Sequence, residues 1–371
     1  MILERIEIVD FKNIAEACIR FSPQVNCLLG MNGMGKSNLL EAIHFLSFAR
    51  AASSMPDAAL VRHGCGSMLV KGSYLSDTGG NDTVACGITV GKGKTLRLNG
   101  KEYGRLSQHI GRLPVVTVAP SDSRLVEGSG EERRRLMDVV ISQADGSYLS
   151  NLIRYNKALD SRNRMLRSGM KDPLLYESVE QTMREASDAI FEARRSWTSR
   201  ISGIFAGYYS EVSGEAEVAS LGYRSQLEGT SLPDLLLDCR QKDLALGYTS
   251  RGVHRDDLEM KLDGYSARRL GSQGQVKTFT IALRFAIFDY LRQTGGKIPL
   301  LLLDDIFDKL DADRVGRIMR LVSTNRSFGQ IFITDTNRKH LDEILDGIGG
   351  DRLLLKVDRG TFSRITPASE S

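Results

Sequence analysis

Apolar and polar residues alternate with a period of two from Met1 to Val9, which predicts a strand. A second strand, roughly Val25 to Leu29, runs directly into a glycine-rich turn. From Asn38 to Phe48 the apolar residues Leu39, Leu40, Ile43, Phe45, Leu46 and Phe48 predict a buried helix. Residues from about Met68 to Asn99 are rich in Gly, Thr, Val and Ser and predict short strands and hairpins, with turns at Thr78-Gly79-Gly80-Asn81 and Leu98-Asn99-Gly100. The texture changes after Pro120. From about Glu131 to Ser210 the only proline is Pro173, and helical periodicity dominates, with Leu149, Leu152, Ile153 and Leu159 near one face. No heptad pattern persists over four repeats, so no long coiled coil is expected. Strand texture returns near Leu258 to Leu262, followed by a helix over about Gly271 to Gln293. Ile298 to Leu303 is a continuous apolar run of the buried parallel-strand type. A helix around Asp313 to Ser323 and a strand from Gln330 to Thr334 complete the pattern. The fold class is α/β, with one α/β domain in two segments, 1–120 and 245–371, and a mainly helical lobe at 121–244 inserted between them.

The 371 residues are enough for two or three domains, and 41% hydrophobic with 26% charged residues is an ordinary globular mix. The net charge of +4 permits a nucleic-acid partner without demanding one. Five dispersed cysteines without a C-x-x-C pair argue against a disulfide framework or a zinc site and predict buried thiols. No run approaches 18 apolar residues, so no membrane span is expected. The start of the chain lacks the charged and apolar regions of a signal peptide, and a cytoplasmic location follows as an expectation.

Gly30-Met31-Asn32-Gly33-Met34-Gly35-Lys36-Ser37 fits G-x-x-x-x-G-K-S, with a strand before it and a helix after it. Glycines such as Gly30, Gly33 and Gly35 let backbone N–H groups wrap phosphates, and the helix start at Lys36 to Asn38 favours their negative charge. Lys36 is expected to contact the β- and γ-phosphates of ATP, and Ser37 to hold Mg²⁺ through its hydroxyl. Asn32 and Asn38 belong to the same nucleotide-binding segment.

Leu300-Leu301-Leu302-Leu303-Asp304-Asp305 is an apolar strand ending in two carboxylates. In a phosphate-loop enzyme the first, Asp304, helps position Mg²⁺. The second, Asp305, can orient or polarise an attacking water. Many related ATPases carry Glu there, and the shorter Asp predicts slow hydrolysis. Ser272-Gln273-Gly274-Gln275 opens a helix, where a hydroxyl and free backbone N–H groups make a further anion site. This segment resembles the S-G-G-Q signature of ABC-type ATPases, with Gln273 in place of the first glycine. Asp308-Lys309-Leu310-Asp311 resembles their D-loop.

Taken in order, these segments resemble the RecF family of bacterial recombination mediators over nearly the whole chain. The more specific markers are Asp10-Phe11-Lys12-Asn13, Gly30 to Asn38, Ala119-Pro120-Ser121-Asp122, Arg133 to Asp138, Tyr155 to Leu159, Arg162-Asn163, Gly252-Val253-His254-Arg255-Asp256-Asp257-Leu258, Ser272 to Lys277 and Leu302 to Ile306. The resemblance implies an ABC-type ATPase head with a helical second lobe and no long coiled coil. It implies a weak, DNA-stimulated ATPase that dimerises on ATP, binds duplex or gapped DNA, and acts with RecR and RecO to load RecA. Lys36, Ser37 and Asp304 would act in cis, while Ser272, Gly274 and Gln275 would act in trans across a two-fold dimer. Lys12 and Asn13 are implied neighbours of the nucleotide base. Ser121 stands where an acidic residue is usual, and Val253 where proline is usual. The segment Thr334-Asp335-Thr336 has no His at the phosphate-sensing position of ABC-type ATPases, leaving Asp335 or Thr336 to take it.

DNA contacts are less localised. Basic residues outnumber acidic ones between 133 and 200, and Arg154, Lys157 and Arg164 lie at helical offsets of 0, 3 and 10. That spacing suits either a solvated helix face or a stripe of phosphate contacts. His254 and Arg255 suit a structural role or a role near the site. Three rival readings remain: an ATPase head serving a separate nuclease, one coupled to a membrane partner, and a nucleotide-binding scaffold without useful hydrolysis, against which the complete set Lys36, Asp304 and Asp305 argues. The long helical insertion argues against a transporter subunit.

Overall fold

The computed structural model describes residues 1–52, 55–76, 79–170, 172–308, 310–324, 328–347 and 351–365. The chain divides into two compact units, Met1–Asp122 with Thr280–Ser371, and Ser123–Phe279.

The first unit holds two sheets. One is antiparallel, in the order β2-β1-β4-β5-β6-β7, built from β1 (Ile2–Phe11), β2 (Ile14–Arg20), β4 (Ser67–Leu75), β5 (Asn81–Thr89), β6 (Gly93–Leu98) and β7 (Lys101–Glu102). The alternation in β1 buries Leu3, Ile6, Ile8 and Phe11 completely. Asn99 and Gly100, both at positive φ, make the tight turn between β6 and β7. The second sheet runs β15-β14-β3-β13-β12-β8, from β3 (Val25–Leu29), β8 (Val115–Val118), β12 (Leu300–Asp304), β13 (Ile331–Asp335), β14 (Arg352–Asp358) and β15 (Thr361–Arg364). All its pairings are parallel except β14 with β15. Leu300 to Leu303 are fully buried, as a strand covered on both faces must be. Helix α1 (Lys36–Phe48) touches strands of both sheets, which explains why it is apolar nearly all round. Helices α9 (Ala312–Thr324) and α10 (Arg338–Gly347) pack on one another.

The second unit contains α2 (Ser123–Glu127), α3 (Gly130–Ala144), α4 (Gly146–Arg167), α5 (Pro173–Ser213), α6 (Leu232–Leu246) and α7 (Ala267–Leu270). It also holds an antiparallel sheet, β11-β10-β9, of β9 (Ala219–Arg224), β10 (Asp257–Leu262) and β11 (Tyr265–Ser266). The 41-residue α5 starts with Pro173 in its first turn and Asp172 capping Leu174 N–H, and stops at Gly214 in the left-handed conformation. It lies along α4 rather than extending as a coiled coil.

Three expectations change. Residues 245–279, read as part of the ATPase domain, cluster with the helical unit. The reason is β10, which pairs with β9 through six residue pairs, together with Asp256 and Asp257, which bind Arg194 and Arg133. The unit boundary therefore falls inside α8 (Gln273–Gly295). In α4 the buried face is Tyr148, Tyr155, Ala158, Arg162 and Leu166, whereas Ile153 is exposed. Arg162 can occupy a core position because Asp243 and Glu180 meet its guanidinium at 2.7 and 2.9 Å. Of the five thiols, Cys27, Cys86 and Cys239 are buried, but Cys18 is exposed because it lies on the edge strand β2.

Candidate nucleotide site

In a parallel sheet the carboxyl ends of the strands leave a crevice for ligands. Here the ends of β3, β8, β12 and β13 lead to the phosphate-loop segment, Pro120, Asp304-Asp305 and Thr334-Asp335. The chain leaves β3 at Leu29 and turns through Gly30 to Gly35 into α1, which begins at Lys36. Gly35 has φ 111°, and a side chain there would meet Asn13 Oδ1 at 2.9 Å. A Cβ on Gly30 would lie 2.5 Å from the Val357 carbonyl oxygen of β14. Asn38 Nδ2 donates to Asn13 Oδ1 at 2.7 Å, and Gly360 N–H donates to the Met34 carbonyl at 2.8 Å. The loop is thus held between the β1–β2 turn and the β14–β15 turn.

Lys36 Nζ donates to the carbonyls of Gly30 (2.6 Å) and Met31 (3.1 Å). Burial lowers its pKa, and Asp305, Asp304 and Asp335 oppose that shift. Ser37 Oγ donates to Asp304 Oδ1 at 2.9 Å, which unites residues 267 positions apart. Thr334 Oγ1 donates to the same carboxylate oxygen at 2.7 Å and accepts Asp305 N–H at 3.0 Å. Asp305 itself has φ 48°. Burial raises its pKa, with Asp335, Asp308 and Asp304 adding to the rise. A cleft of about 160 Å³ is lined by Asn32, Gly33, Gly35, Lys36, Ser37, Asn38, Pro120, Asp304 and Asp305. The hydroxyl of Ser37 and the carboxylate of Asp304 form a hard-oxygen donor pair that fits Mg²⁺.

The structure brings together the phosphate-loop residues and the acid pair. Lys12 does not line this cleft: it is ion-paired to Glu41 of α1 and borders a separate pocket with Val61, Arg62 and His63. Ser272, Gly274 and Gln275 belong to the other unit. There Ser272 Oγ accepts Gln275 N–H at 3.2 Å and Gln275 Oε1 accepts Ser272 N–H at 2.7 Å, a reciprocal cap at the start of α8. Gln275 Nε2 also donates to Glu217 at 3.2 Å. Arg154, Lys157 and Arg164 are all exposed on α4, and Arg154 pairs with Glu185 of α5 at 2.9 Å. Lys309 of the D-loop-like segment and Thr78 of the hairpin turn lie outside the described residues. His254 has a structural place: it bonds Tyr155 OH at 2.8 Å and the Thr249 carbonyl at 3.0 Å, and burial lowers its pKa to about 4. The bonds of Thr334 to Asp304 and Asp305 and the contact of His340 with Asp335 were not legible. His340 Nδ1 lies 2.9 Å from Asp335 Oδ2, and the spacing of five residues across a strand end carries no periodic signal. Among the described residues, no helix is long and apolar enough to cross a membrane, and no group of three or more His, Cys, Asp or Glu has metal-site geometry.

Residues 2–350 match the RecF/RecN/SMC N-terminal domain family. The DNA replication and repair protein RecF of Porphyromonas gingivalis W83 is 50% identical over 361 residues, covering 97% of this chain and 99% of that protein. RecF of Bacteroides fragilis YCH46 is 45% identical over 368 residues, covering 98% and 99%. Among solved structures, a RecF–ATP structure described as belonging to the RecFOR pathway superposes with a TM-score of 0.87 at 26% identity, covering 98% of each chain. A Pyrococcus furiosus Smc head domain shares the fold at TM-score 0.58 and 17% identity. With its phosphate loop facing Asp304 and Asp305 in an ABC/SMC-type ATPase fold, this chain belongs to the RecF family of DNA replication and repair proteins.

Proposed function

We propose that this chain is an ATP-operated DNA-binding switch of recombinational repair and replication restart. The observation that carries this reading is the meeting of Ser37 with Asp304, beside a loop in which a Cβ on Gly30 or Gly35 would collide with Val357 or Asn13. ATP binds with its phosphates along the N–H groups of Gly33 to Ser37, and Lys36 turns from its two carbonyls to the β- and γ-phosphates. Ser37 and Asp304 would hold Mg²⁺, which supplies charge neutralisation at the phosphates. Lys12 and Asn13 border the base. Asp305 orients the attacking water, and its short side chain keeps hydrolysis slow.

The rest of the cycle needs a second copy. Ser272, Gly274 and Gln275 of one protomer approach the γ-phosphate held by its partner, so ATP favours the closed dimer and hydrolysis releases it. The closed dimer holds duplex or gapped DNA, with Arg154, Lys157 and Arg164 contacting phosphates. DNA stimulates the weak ATPase. The partners are RecR and RecO, and the outcome is loading of RecA in the cytoplasm. Asp335 or Thr336 takes the place where ABC-type ATPases often carry the phosphate-sensing His.

Fluorescence anisotropy on a labelled gapped duplex tests this reading, with ATP and Mg²⁺, with ADP and Mg²⁺, and without nucleotide. Tight binding with ATP alone, lost in Lys36→Met, is expected. Binding that ignores nucleotide would refute the switch.

A further inference from the structure

We propose that His340 is a positioning residue for ATP hydrolysis, acting through Asp335; the inference rests on reading this site as an ATPase. Asp335 is the last residue of β13 and is 4% exposed. Its backbone carbonyl accepts Gly30 N–H, at 3.4 Å, where the phosphate loop begins. The residue before it, Thr334, is fully buried and holds both Asp304 and Asp305. One strand end therefore touches the start of the loop and both acids.

The Asp335 side chain points to α10. Its carboxylate accepts Asn337 N–H at 2.8 Å and lies 2.9 Å from His340 Nδ1. Asn337 Nδ2 lies 3.4 Å from His340 Nε2, and because a carboxylate oxygen only accepts, His340 Nδ1 carries the proton it donates to Asp335. The imidazole also meets Phe307 edge-on, with centroids 5.3 Å apart at 64°. Phe307 is two residues beyond Asp305. His340 thus braces both strand ends from behind, by a hydrogen bond on β13 and by a ring contact on the segment after β12.

Losing the Nδ1–H donor leaves a nearly enclosed carboxylate short of a partner. Asp335 then turns to other donors, and the Thr334 hydroxyl shifts with it. Binding of ATP depends on the loop backbone and Lys36, which His340 does not touch. Hydrolysis depends on the placement of Asp305, and small misplacement is costly there. The expected signature is a fall in turnover at unchanged nucleotide affinity. Removing an orienting hydrogen-bond partner commonly lowers activity roughly 10- to 100-fold.

The test compares His340→Leu and His340→Asn in the full chain, using displacement of a fluorescent ATP analogue for affinity and phosphate release at saturating ATP for turnover. In Asn, the amide nitrogen can reproduce the Nδ1 donor. His340→Leu should turn over at least about tenfold more slowly, with ATP affinity within about twofold of the parent. His340→Asn should recover most of the rate. If His340→Leu does not fold, His340→Gln replaces it, keeping polarity but carrying its amide past Asp335. Parental turnover in His340→Leu would overturn the inference, as would a joint loss of affinity and rate that His340→Asn fails to rescue. A parent chain that binds ATP but never hydrolyses it, with or without gapped DNA, would refute the ATPase reading itself and the inference with it.

Discussion

Replacing Arg194 by Leu should unfold the helical unit at markedly lower denaturant. The Arg194 side chain is 2% exposed. Its guanidinium donates to Asp256 Oδ2 (2.7 Å), the Val253 carbonyl (2.7 Å), Asp138 Oδ1 (2.8 Å) and Tyr148 OH (3.0 Å). Asp256 is fully buried, and the same carboxylate oxygen accepts Tyr223 OH at 2.6 Å. Burial raises the Asp256 pKa, and Arg194 is the principal opposing charge. Leu would leave that carboxylate enclosed without its cation, a defect worth roughly 3–5 kcal/mol. With an m-value near 3 kcal/mol per molar urea, the midpoint should fall by about 1–1.7 M. The single tryptophan, Trp197, lies one turn along the same helix at 1% exposure, so its fluorescence follows this unit directly. The double variant Arg194→Leu with Asp256→Leu should regain at least half of the loss, because no buried charge is then stranded. A midpoint shift below about 0.3 M, or a double variant whose losses simply add, would refute the reasoning.

Acid should weaken the same unit through His254. Its folded pKa of about 4 lies below the ordinary 6.5, so the unfolded chain takes up the proton first as pH falls. The stability is complete above 6.5 and lost between 6.5 and 4, up to roughly 3 kcal/mol, readable as urea midpoints at stepped pH. His254→Gln should flatten that slope, and an unchanged slope would contradict the assignment. Ser272→Arg should retain ATP binding but show no ATP-dependent dimer in sedimentation; a normal dimer would exclude the trans role. Gly30→Ala should weaken ATP binding by tenfold or more, because its Cβ has 2.5 Å to the Val357 carbonyl oxygen; calorimetric titration giving parental affinity would show that β14 yields freely.

The phosphate loop, the apolar β12 and its acid pair were legible because their signals are local: a fixed glycine spacing, and a run of leucines ending in carboxylates. Ser272 and Gln275 were legible as a helix start for the same reason, since S-x-x-Q closes on itself. The core face of α4 was not. Leucines there lose the core positions to Tyr148, Tyr155 and Arg162, whose polar atoms find partners on α3, α6 and the Gly252–Arg255 segment that no helical period encodes. The membership of residues 245–279 was hidden because strand texture does not say which sheet a strand joins; β10 goes to β9. The segment from Thr334 was marked, but its bonds to Asp304 and Asp305 and the contact of His340 with Asp335 were not legible, because they join a neighbouring strand and a following helix by tertiary packing alone.

The order of strands around β3 has a consequence for synthesis of the protein. The strand that carries the phosphate loop is made within the first thirty residues, yet its two neighbours, β13 and β14, begin at Ile331 and Arg352. Residues 25–29 therefore wait unpaired through most of translation. The helical unit, contiguous from 123 to 279, can close while the chain is still growing, because its partners are near in sequence. The nucleotide site forms last, and a nascent chain released before β14 lacks one wall of the loop. A stop between residues 280 and 352 would therefore yield a protein with a complete helical unit and no ATP site.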